Sequence, residues 1–191
     1  MPRTPEQNER IREAARAEIV SSAMVLFAQN GYAATTTRMI AQHAGISTGL
    51  MYHYFDGKES LLIAVFESCM GILDAAFSEA YLGSQPGRRI SAIVGTIFGM
   101  LESDREFWGL FYMLRTQPAI MAILGDSFRH WTGRLRDLFV AELRGTGRAD
   151  PEIEALLLYS LVEGTIQQYL LDPANYPLEV VAGRIIDQYG S

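Results

Sequence analysis

The segment from Thr35 to Leu62 restricts the fold of this chain more than any other part of it. It reads TTTRMIAQHAGISTGLMYHYFDGKESLL, in which two short helical patterns flank Gly45. Gly45 allows a sharp turn, because only glycine adopts a positive φ without steric cost. Ile40 and Ala41 form an apolar face before the turn, and Ile46 re-enters the core after it. The pattern therefore predicts two short helices joined by a tight turn.

Hydroxyl side chains stand where both short helices begin. Thr36 is the predicted N-cap of the first helix and Ser47 of the second, because a side-chain oxygen there accepts from the free N–H groups of the opening turn. Such caps also bring hydroxyls and backbone donors to a place where a phosphate can bind. Leu50 and Met51 turn back against the first helix, which leaves the outer face of the second helix for a partner. This is the arrangement of a helix-turn-helix that reads DNA.

The segment GLMYHYFDGKESLL resembles the helix-turn-helix signature of the tetracycline-repressor (TetR) family of bacterial transcription regulators. The resemblance covers about residues 17–64 by motif and the rest of the chain by length and helix layout. It implies an all-α fold with an N-terminal three-helix helix-turn-helix head in residues 1–57. Residues 58–191 are then a larger helical domain for ligand binding and dimerisation.

The resemblance also implies which residues contact DNA. Thr36 and Arg38 resemble the phosphate contacts at the start of the first short helix, and Lys58 resembles the phosphate-binding lysine that opens the next helix. Thr37 stands where the family usually has an apolar residue, and we expect it to weaken packing slightly. The other implied contacts are Ser47, Thr48, Gly49 and His53, which face the base edges, and Tyr52 and Tyr54.

Lys58 is the only lysine among the sixteen basic residues of the chain. A sole lysine at the phosphate position of the motif favours the DNA-binding interpretation. The alternative is that an arginine-rich composition left one lysine by chance on a solvated helix start.

The net charge of −6 is unevenly distributed. Residues 1–66 contain six basic and six acidic residues, whereas residues 67–191 contain ten basic and sixteen acidic residues. A head of zero net charge neutralises few phosphates, so we expect its affinity to depend only modestly on salt. Affinity then depends on two heads acting together, which predicts a homodimer on a palindromic double-stranded DNA operator.

Helical patterns extend over nearly the whole chain. We predict helices over residues 8–29, 58–81, 88–101, 152–171 and 178–189, two or three more within residues 104–143, and loops at residues 83–87 and 144–150. Pro151 stands where a proline starts a helix.

The predicted helix over residues 152–171 is apolar on nearly all sides and must be covered on both faces. A small helical domain has little left to cover the second face, so a partner subunit is the simplest cover. In TetR-like proteins the last two helices pair with their symmetry mates as a four-helix bundle. The alternative is a buried central helix in a monomer. The predicted interface consists of Leu157, Leu161, Gly164, Gln168, Val181 and Ile185.

The middle of the chain is rich in aromatic residues and methionine. One by one these are core side chains, whereas together they are typical of a small-molecule cavity with apolar walls and few polar groups. The family resemblance favours the cavity. Arg115 suits a carboxylate and Glu163 suits a cation, but each alternatively pairs with another side chain, so the class of effector stays open. The predicted cavity residues are Phe66, Met70, Phe98, Phe111, Arg115, Trp131, Glu163 and Gln167.

Several classes of protein are disfavoured. The three histidines have no metal-binding spacing, and the chain has no glycine-rich phosphate loop and no GxSxG elbow, so we predict neither an enzyme nor a metal or cofactor. No run approaches the roughly 18 consecutive apolar residues of a membrane span, and the polar N-terminus is unlike a signal peptide. A cytoplasmic protein that does not bind a membrane is expected. Its single cysteine, Cys69, is expected to be a free buried thiol, the alternative being a redox switch.

These observations together predict a ligand-responsive transcriptional repressor. In the predicted mechanism, an effector moves the helix over residues 58–81, so that the two recognition helices no longer match successive major grooves about 34–36 Å apart. The alternative is a helical interaction module that does not bind DNA. The polar residues on the second short helix argue against that alternative.

Overall fold

Residues 4–190, which a computed structural model describes, form nine α-helices and no strand. The helices are α1 (Pro5–Asn30), α2 (Thr37–His43), α3 (Thr48–Tyr54), α4 (Lys58–Leu82), α5 (Arg89–Ser103), α6 (Arg105–Arg115), α7 (Pro118–Arg144), α8 (Pro151–Leu171) and α9 (Leu178–Tyr189). The predicted all-α fold is confirmed, and residues 104–143 contain two helices rather than three. The extreme ends of the predicted domains, residues 1–3 and 191, lie outside the described residues.

The chain folds into two compact units. The first contains the residues up to Met70 together with Leu110–Gly125, and the second contains Gly71–Gly109 and the residues from Asp126 onward. The helix α4 therefore contributes residues to both units. The predicted domain boundary after residue 57 stays a prediction.

The ends of the short helices follow the predicted chemistry. The side chains of Thr36 and Ser47 accept backbone N–H groups of the first turns of α2 and α3 at 3.2 and 3.1 Å, so both predicted N-caps are confirmed. Gly45, in the turn between the two helices, has a φ of 68°. A residue with a Cβ would be strained in that conformation.

Apolar side chains from α1 to α4 form the core of the first unit. Fully buried examples are Ile19, Ala23, Phe27, Ile40, Met51 and Leu61. Each large side chain of this kind contributes about 1.5–3 kcal/mol of transfer free energy when it leaves water. A polar contact adds to this core, because His43 Nδ1 lies 3.0 Å from the hydroxyl of the buried Ser22. These contacts hold α2 against α1.

The helix α4 is long and apolar enough to cross a membrane by length and composition. Core helices of soluble proteins have the same properties, and 44% of its most apolar stretch is buried within the structure. Leu62, Val65 and Leu73 are buried, whereas Glu67 and Asp74 interrupt the apolar sequence on its other sides. This pattern is that of a core helix.

The last two helices are fixed to their own unit by polar contacts. Ser91 Oγ of α5 donates to the carbonyl of Gly190 at 3.0 Å. The guanidinium of Arg148 donates to a carbonyl in the last turn of α9 and to Glu154 of α8, and it lies 4.9 Å from the ring centroid of Tyr189. Burial, followed by the nearby charge of Glu154, raises the pKa of Tyr189. These contacts hold α8 and α9 in place within one chain.

Candidate nucleic-acid interface and effector site

The outer face of α3 is exposed and polar. Tyr52 is 52% exposed, and Ser47, Gly49 and His53 are exposed as well. Met51 is fully buried and anchors the helix, whereas Leu50, which the sequence also predicts to turn back against α2, is 42% exposed. A helix that is anchored on one face and polar on the other is suited to enter the major groove of DNA.

The remaining predicted DNA contacts lie next to this face. Thr36 and Arg38 are exposed at the start of α2, and Thr48 and Tyr54 are half-buried at the two ends of α3. The nine predicted residues all belong to the first unit. We call them the recognition surface: Thr36, Arg38, Ser47, Thr48, Gly49, Tyr52, His53, Tyr54 and Lys58.

A hydrogen bond between helices orients Tyr52. The hydroxyl of Thr37 in α2 lies 3.1 Å from the hydroxyl of Tyr52 in α3. The sequence predicts only slightly weaker packing at Thr37, where the family usually has an apolar residue. The structure adds a role for that polar residue, because its hydroxyl holds a ring that reaches outward from the recognition surface.

Lys58 holds the loop that follows α1. Its Nζ donates to the carbonyls of Tyr32 and Ala33 at 2.8 and 3.3 Å, and it lies 4.5 Å from the ring centroid of Tyr32. Burial, followed by the charge of Glu59, raises the pKa of Tyr32. An ammonium group has three N–H donors, so these two contacts leave a donor for a phosphate. The positioning role of Lys58 was not predicted from the sequence.

Gln117, between α6 and α7, holds the same loop from its other side. Its Oε1 accepts from the backbone N–H of Tyr32 at 2.8 Å, and its Nε2 donates to the carbonyl of Phe27 at 2.9 Å. Tyr32 is thus bound through its N–H by Gln117 and through its carbonyl by Lys58. The sequence gives no signal for this contact, since a polar residue between two helices resembles any solvated turn.

The helix α8 has a buried face and an exposed apolar face. The buried face carries Ala155, Leu158, Val162, Thr165 and Ile166. The residues of the exposed face are mostly spaced three or four positions apart. Its four largest side chains are between 42% and 51% exposed. This exposed face consists of Ile153, Leu156, Leu157, Leu161, Gly164 and Gln168. Contiguous exposed apolar side chains of this kind mark an interaction site.

The two predicted interface residues of α9 differ in exposure. Val180, next to the predicted Val181, is 65% exposed, and Val181 itself is half-buried. Ile185 is only 4% exposed, because it shares the packed face of α9 with Leu178 and Tyr189. Its own subunit therefore covers most of Ile185, and its place in the dimer interface stays a prediction.

The predicted cavity residues are divided between the two units. Phe66, Met70, Phe111 and Arg115 belong to the first unit, and Phe98, Trp131, Glu163 and Gln167 belong to the second. The guanidinium of Arg115 lies 5.0 Å from the ring centroid of Tyr112. Tyr159 donates to Glu163 at 3.0 Å, whereas Gln167 is exposed. Arg115 and Glu163 therefore have partners within the chain, which is the alternative that their sequence context left open.

A groove of about 420 Å³ lies between the second half of α4 and the middle of α7, within the second unit. Its volume is typical of small-molecule sites, which range over roughly 300–1,000 Å³. Trp131 is the one predicted cavity residue in its lining. The lining consists of Asp74, Phe77, Ser78, Tyr81, Leu82, Trp131, Arg134, Leu135, Asp137 and Leu138.

Polar contacts fix the side chains at both ends of this groove. Trp131 Nε1 donates to Asp74 at 3.0 Å, and Arg134 lies 3.6 Å from the other oxygen of that carboxylate. At the far end the hydroxyl of Tyr81 donates to Glu142 at 3.0 Å and accepts from Arg89 at 2.9 Å. The two aromatic side chains cannot rotate away without loss of these bonds.

No group of three or more histidine, cysteine, aspartate or glutamate side chains in the described part of the chain is placed to hold a metal ion. Cys69 is a buried free thiol, as predicted, and its Sγ lies 3.8 Å from Met24 Sδ. Burial raises the pKa of Cys69 to about 12.

Two family models match the chain. Residues 19–65 match the model of bacterial regulatory proteins of the tetR family, and residues 86–189 match that of the C-terminal part of BetI-type transcriptional repressors. The second match covers more than half of the chain.

Individual relatives agree with these models. The HTH-type transcriptional repressor KstR2 of Rhodococcus jostii (strain RHA1) is 29% identical over 129 residues, which are 67% of this chain and 57% of that protein. The HTH-type transcriptional regulator BetI of Paraburkholderia phymatum is 36% identical over 90 residues, which are 46% of each chain. The chain thus spans about half the length of these relatives.

Solved structures share the fold over nearly the whole chain. FadR of Bacillus subtilis, a transcriptional regulator solved in complex with stearoyl-CoA, has a TM-score of 0.74 at 18% identity, and the match covers 92% of this chain and 97% of that one. The helical architecture and both family models lead to the same assignment. The chain belongs to the TetR family of bacterial regulatory proteins.

Proposed function

We propose that this protein is a transcriptional repressor that binds a palindromic operator as a homodimer and is released by a small apolar or amphipathic ligand. The observation that carries the proposal is the outer face of α3, which is polar and exposed while Met51 anchors the helix from behind. Tyr52 is aimed outward by Thr37. A residue that only packed within the protein would need neither this exposure nor this orientation.

Contacts with DNA are proposed to divide into two kinds. Ser47, Tyr52 and His53 belong to the helix that enters the major groove, where base edges are read. Arg38 and Lys58 contact phosphates, which fix the register of the protein on the duplex. Since the head carries no net charge in residues 1–66, the salt dependence of affinity is expected to be modest. Because its proposed partner is operator DNA, the protein is proposed to act in the cytoplasm.

Dimerisation is proposed to bury the exposed face of α8. Leu157 and Leu161 lie one turn apart on this face, and Gly164 follows one turn later, where the absence of a side chain lets helices approach closely. Val180 and Val181 of α9 extend the surface. The interface is isologous, because the same face on both subunits meets itself about a twofold axis.

Ligand control is proposed to act through α4. This helix begins at Lys58, which belongs to the recognition surface, and its second half lines the groove in the second unit. Ligand binding would favour a position of α4 in which the two recognition helices no longer match successive major grooves. FadR of Bacillus subtilis binds stearoyl-CoA, which supports an amphipathic effector for a protein of this fold. The name of KstR2 supports repression.

A mobility-shift titration with the DNA upstream of the protein's own gene tests the proposal. The native protein is expected to bind, and Tyr52→Ala and Lys58→Ala are each expected to weaken binding by at least roughly 10-fold, since each contact occurs in both subunits. Glu67→Ala, an exposed substitution in α4 outside the recognition surface, is the matched control. Absence of binding to this DNA and to genomic fragments would favour the helical interaction module instead.

A further inference from the structure

We propose that the groove between the second half of α4 and the middle of α7 is the effector site, and that it takes an organic cation with an apolar body. The inference rests on the proposed ligand response and adds the place and the charge of the ligand.

Three aromatic side chains line the groove. The rings of Phe77 and Trp131 lie 6.1 Å apart and are inclined by 40°, so the two rings are not stacked on each other. Aromatic faces attract cations that lie within about 6 Å of the ring centroid. Tyr81 already holds a cation on its ring, because the guanidinium of Arg89 lies 4.2 Å from its centroid.

The hydrogen bond from Trp131 Nε1 to Asp74 gives the groove a fixed pairing of an indole ring with a carboxylate. A cation next to both groups interacts with the electron-rich face of the ring and with the negative charge. Two such interactions from directions fixed by the protein favour a positive ligand over a neutral one of the same shape.

The charges of the groove are negative on balance. Asp74 and Asp137 are two carboxylates, whereas Arg134 is the single cation in the lining. Arg134 and Asp74 are 3.6 Å apart, with side chains that are 61% and 40% exposed, and ion pairs open to solvent contribute little stability. A ligand cation can therefore displace Arg134 from Asp74 at small cost. An anionic ligand would have to approach both carboxylates.

Leucines form the apolar part of the site. Leu82, at the end of α4, is 81% exposed, and Leu135 and Leu138 lie on the α7 side of the groove. A volume of about 420 Å³ accommodates an organic cation with a ring or a short chain, but it is large for an inorganic ion. The leucines therefore suit the body of the ligand and the carboxylates suit its charged end.

Isothermal titration calorimetry of the native protein with benzyltrimethylammonium, phenylacetate and benzyl alcohol tests the inference. These probes share one ring and differ in charge. We expect saturable binding of the cation and at least roughly 10-fold weaker binding of the anion and the alcohol. Only the cation gains both a cation–π contact and attraction to a carboxylate. Equal affinity for all three, or no saturable binding of the cation, would overturn the inference.

Variants locate the binding site. Asp74→Asn and Asp137→Asn are each expected to weaken binding of benzyltrimethylammonium roughly 2- to 5-fold, and Arg134→Gln is expected to strengthen it by a similar factor, because the removed charges are exposed. Asp126→Asn removes an exposed carboxylate of α7 that is outside the groove and should leave the affinity unchanged. Equal effects of Asp74→Asn and Asp126→Asn would place the cation elsewhere.

Calorimetry needs no DNA, so the two proposals can fail separately. If benzyltrimethylammonium binds as expected but leaves operator affinity unchanged, the groove is a site for organic cations, and its assignment as the effector site is refuted. If the native protein binds its operator but none of the probes, the groove assignment is refuted and the DNA-binding proposal stands.

Discussion

The helices α3 and α8 each bury one face and expose the other, but the two exposed faces differ in chemistry. The exposed face of α3 carries hydroxyl, imidazole and phenol groups, whereas that of α8 carries leucine and isoleucine. A polar face is stable in water and can bind and release DNA. An apolar face is costly in water and is expected to be covered permanently. The difference predicts a reversible contact at α3 and a permanent one at α8.

The largest effect is expected on α8. Leu157→Glu combined with Leu161→Glu places four charges in the proposed interface of the dimer, where each leucine otherwise contributes about 1.5–3 kcal/mol. The dimer dissociation constant should rise by at least roughly 1,000-fold, and light scattering after gel filtration should show a monomer. Ile72→Glu changes an equally exposed residue of α4 and should leave the dimer intact. A double variant that remains dimeric would show that α8 does not form the interface.

A smaller effect is expected from the hydroxyl that orients Tyr52. Thr37→Val removes the 3.1 Å hydrogen bond between α2 and α3 but keeps the shape of the side chain. Operator affinity measured by fluorescence anisotropy should fall roughly 2- to 10-fold, because the variant loses the contribution of one hydrogen bond per subunit. Thr37→Ser retains the hydroxyl and should bind like the native protein. Native affinity in Thr37→Val would mean that the bond does not orient the contact.

Gln117 should affect stability more than recognition. Gln117→Ala removes the bonds to Tyr32 and Phe27, and the free energy of unfolding should fall by about 1–2 kcal/mol. Urea denaturation at one fixed protomer concentration measures this change. Thr116→Ala is the control, because the Thr116 hydroxyl donates to the carbonyl of Met113, three residues earlier, at 2.9 Å. Equal stability of both variants would show that the hydrogen bonds of Gln117 do not stabilise the fold.

The smallest effect is expected at Cys69. Its pKa is raised to about 12 by burial, so the thiolate that reacts with disulfide reagents is almost absent at pH 8. Labelling should be slow in the native protein and fast in denaturant, and mild oxidants should leave operator binding unchanged. Rapid labelling of the native protein would support a redox role instead.

Local signals in the sequence predict much of this fold. Some signals act within a few residues, so the sequence alone predicts the helix ends that they set. They are the caps at Thr36 and Ser47, the turn at Gly45 and the proline at the start of α8. The two-sided character of α8 follows from its composition. The recognition surface was assigned through family resemblance, and its individual contacts stay predictions.

Contacts between distant segments could not be predicted. The amide of Gln117 reaches residues 85 and 90 positions away, and the hydroxyl of Thr37 meets a residue 15 positions away. The burial of Ile185 depends on how α9 is rotated against its neighbours, which an amphipathic pattern alone does not fix. The groove was missed for a similar reason, since Asp74 and Arg134 resemble solvated charges until α4 and α7 bring them together.

The affinity of the Leu157→Glu/Leu161→Glu variant for the operator tests the central claim most directly. Fluorescence anisotropy with one labelled DNA fragment compares it with the native protein, and circular dichroism verifies that the helices of the variant remain folded. If recognition needs two heads held by α8, the monomer should bind at least roughly 100-fold more weakly, because one head of zero net charge neutralises few phosphates. A folded monomer that binds the operator as tightly as the native protein would contradict the account.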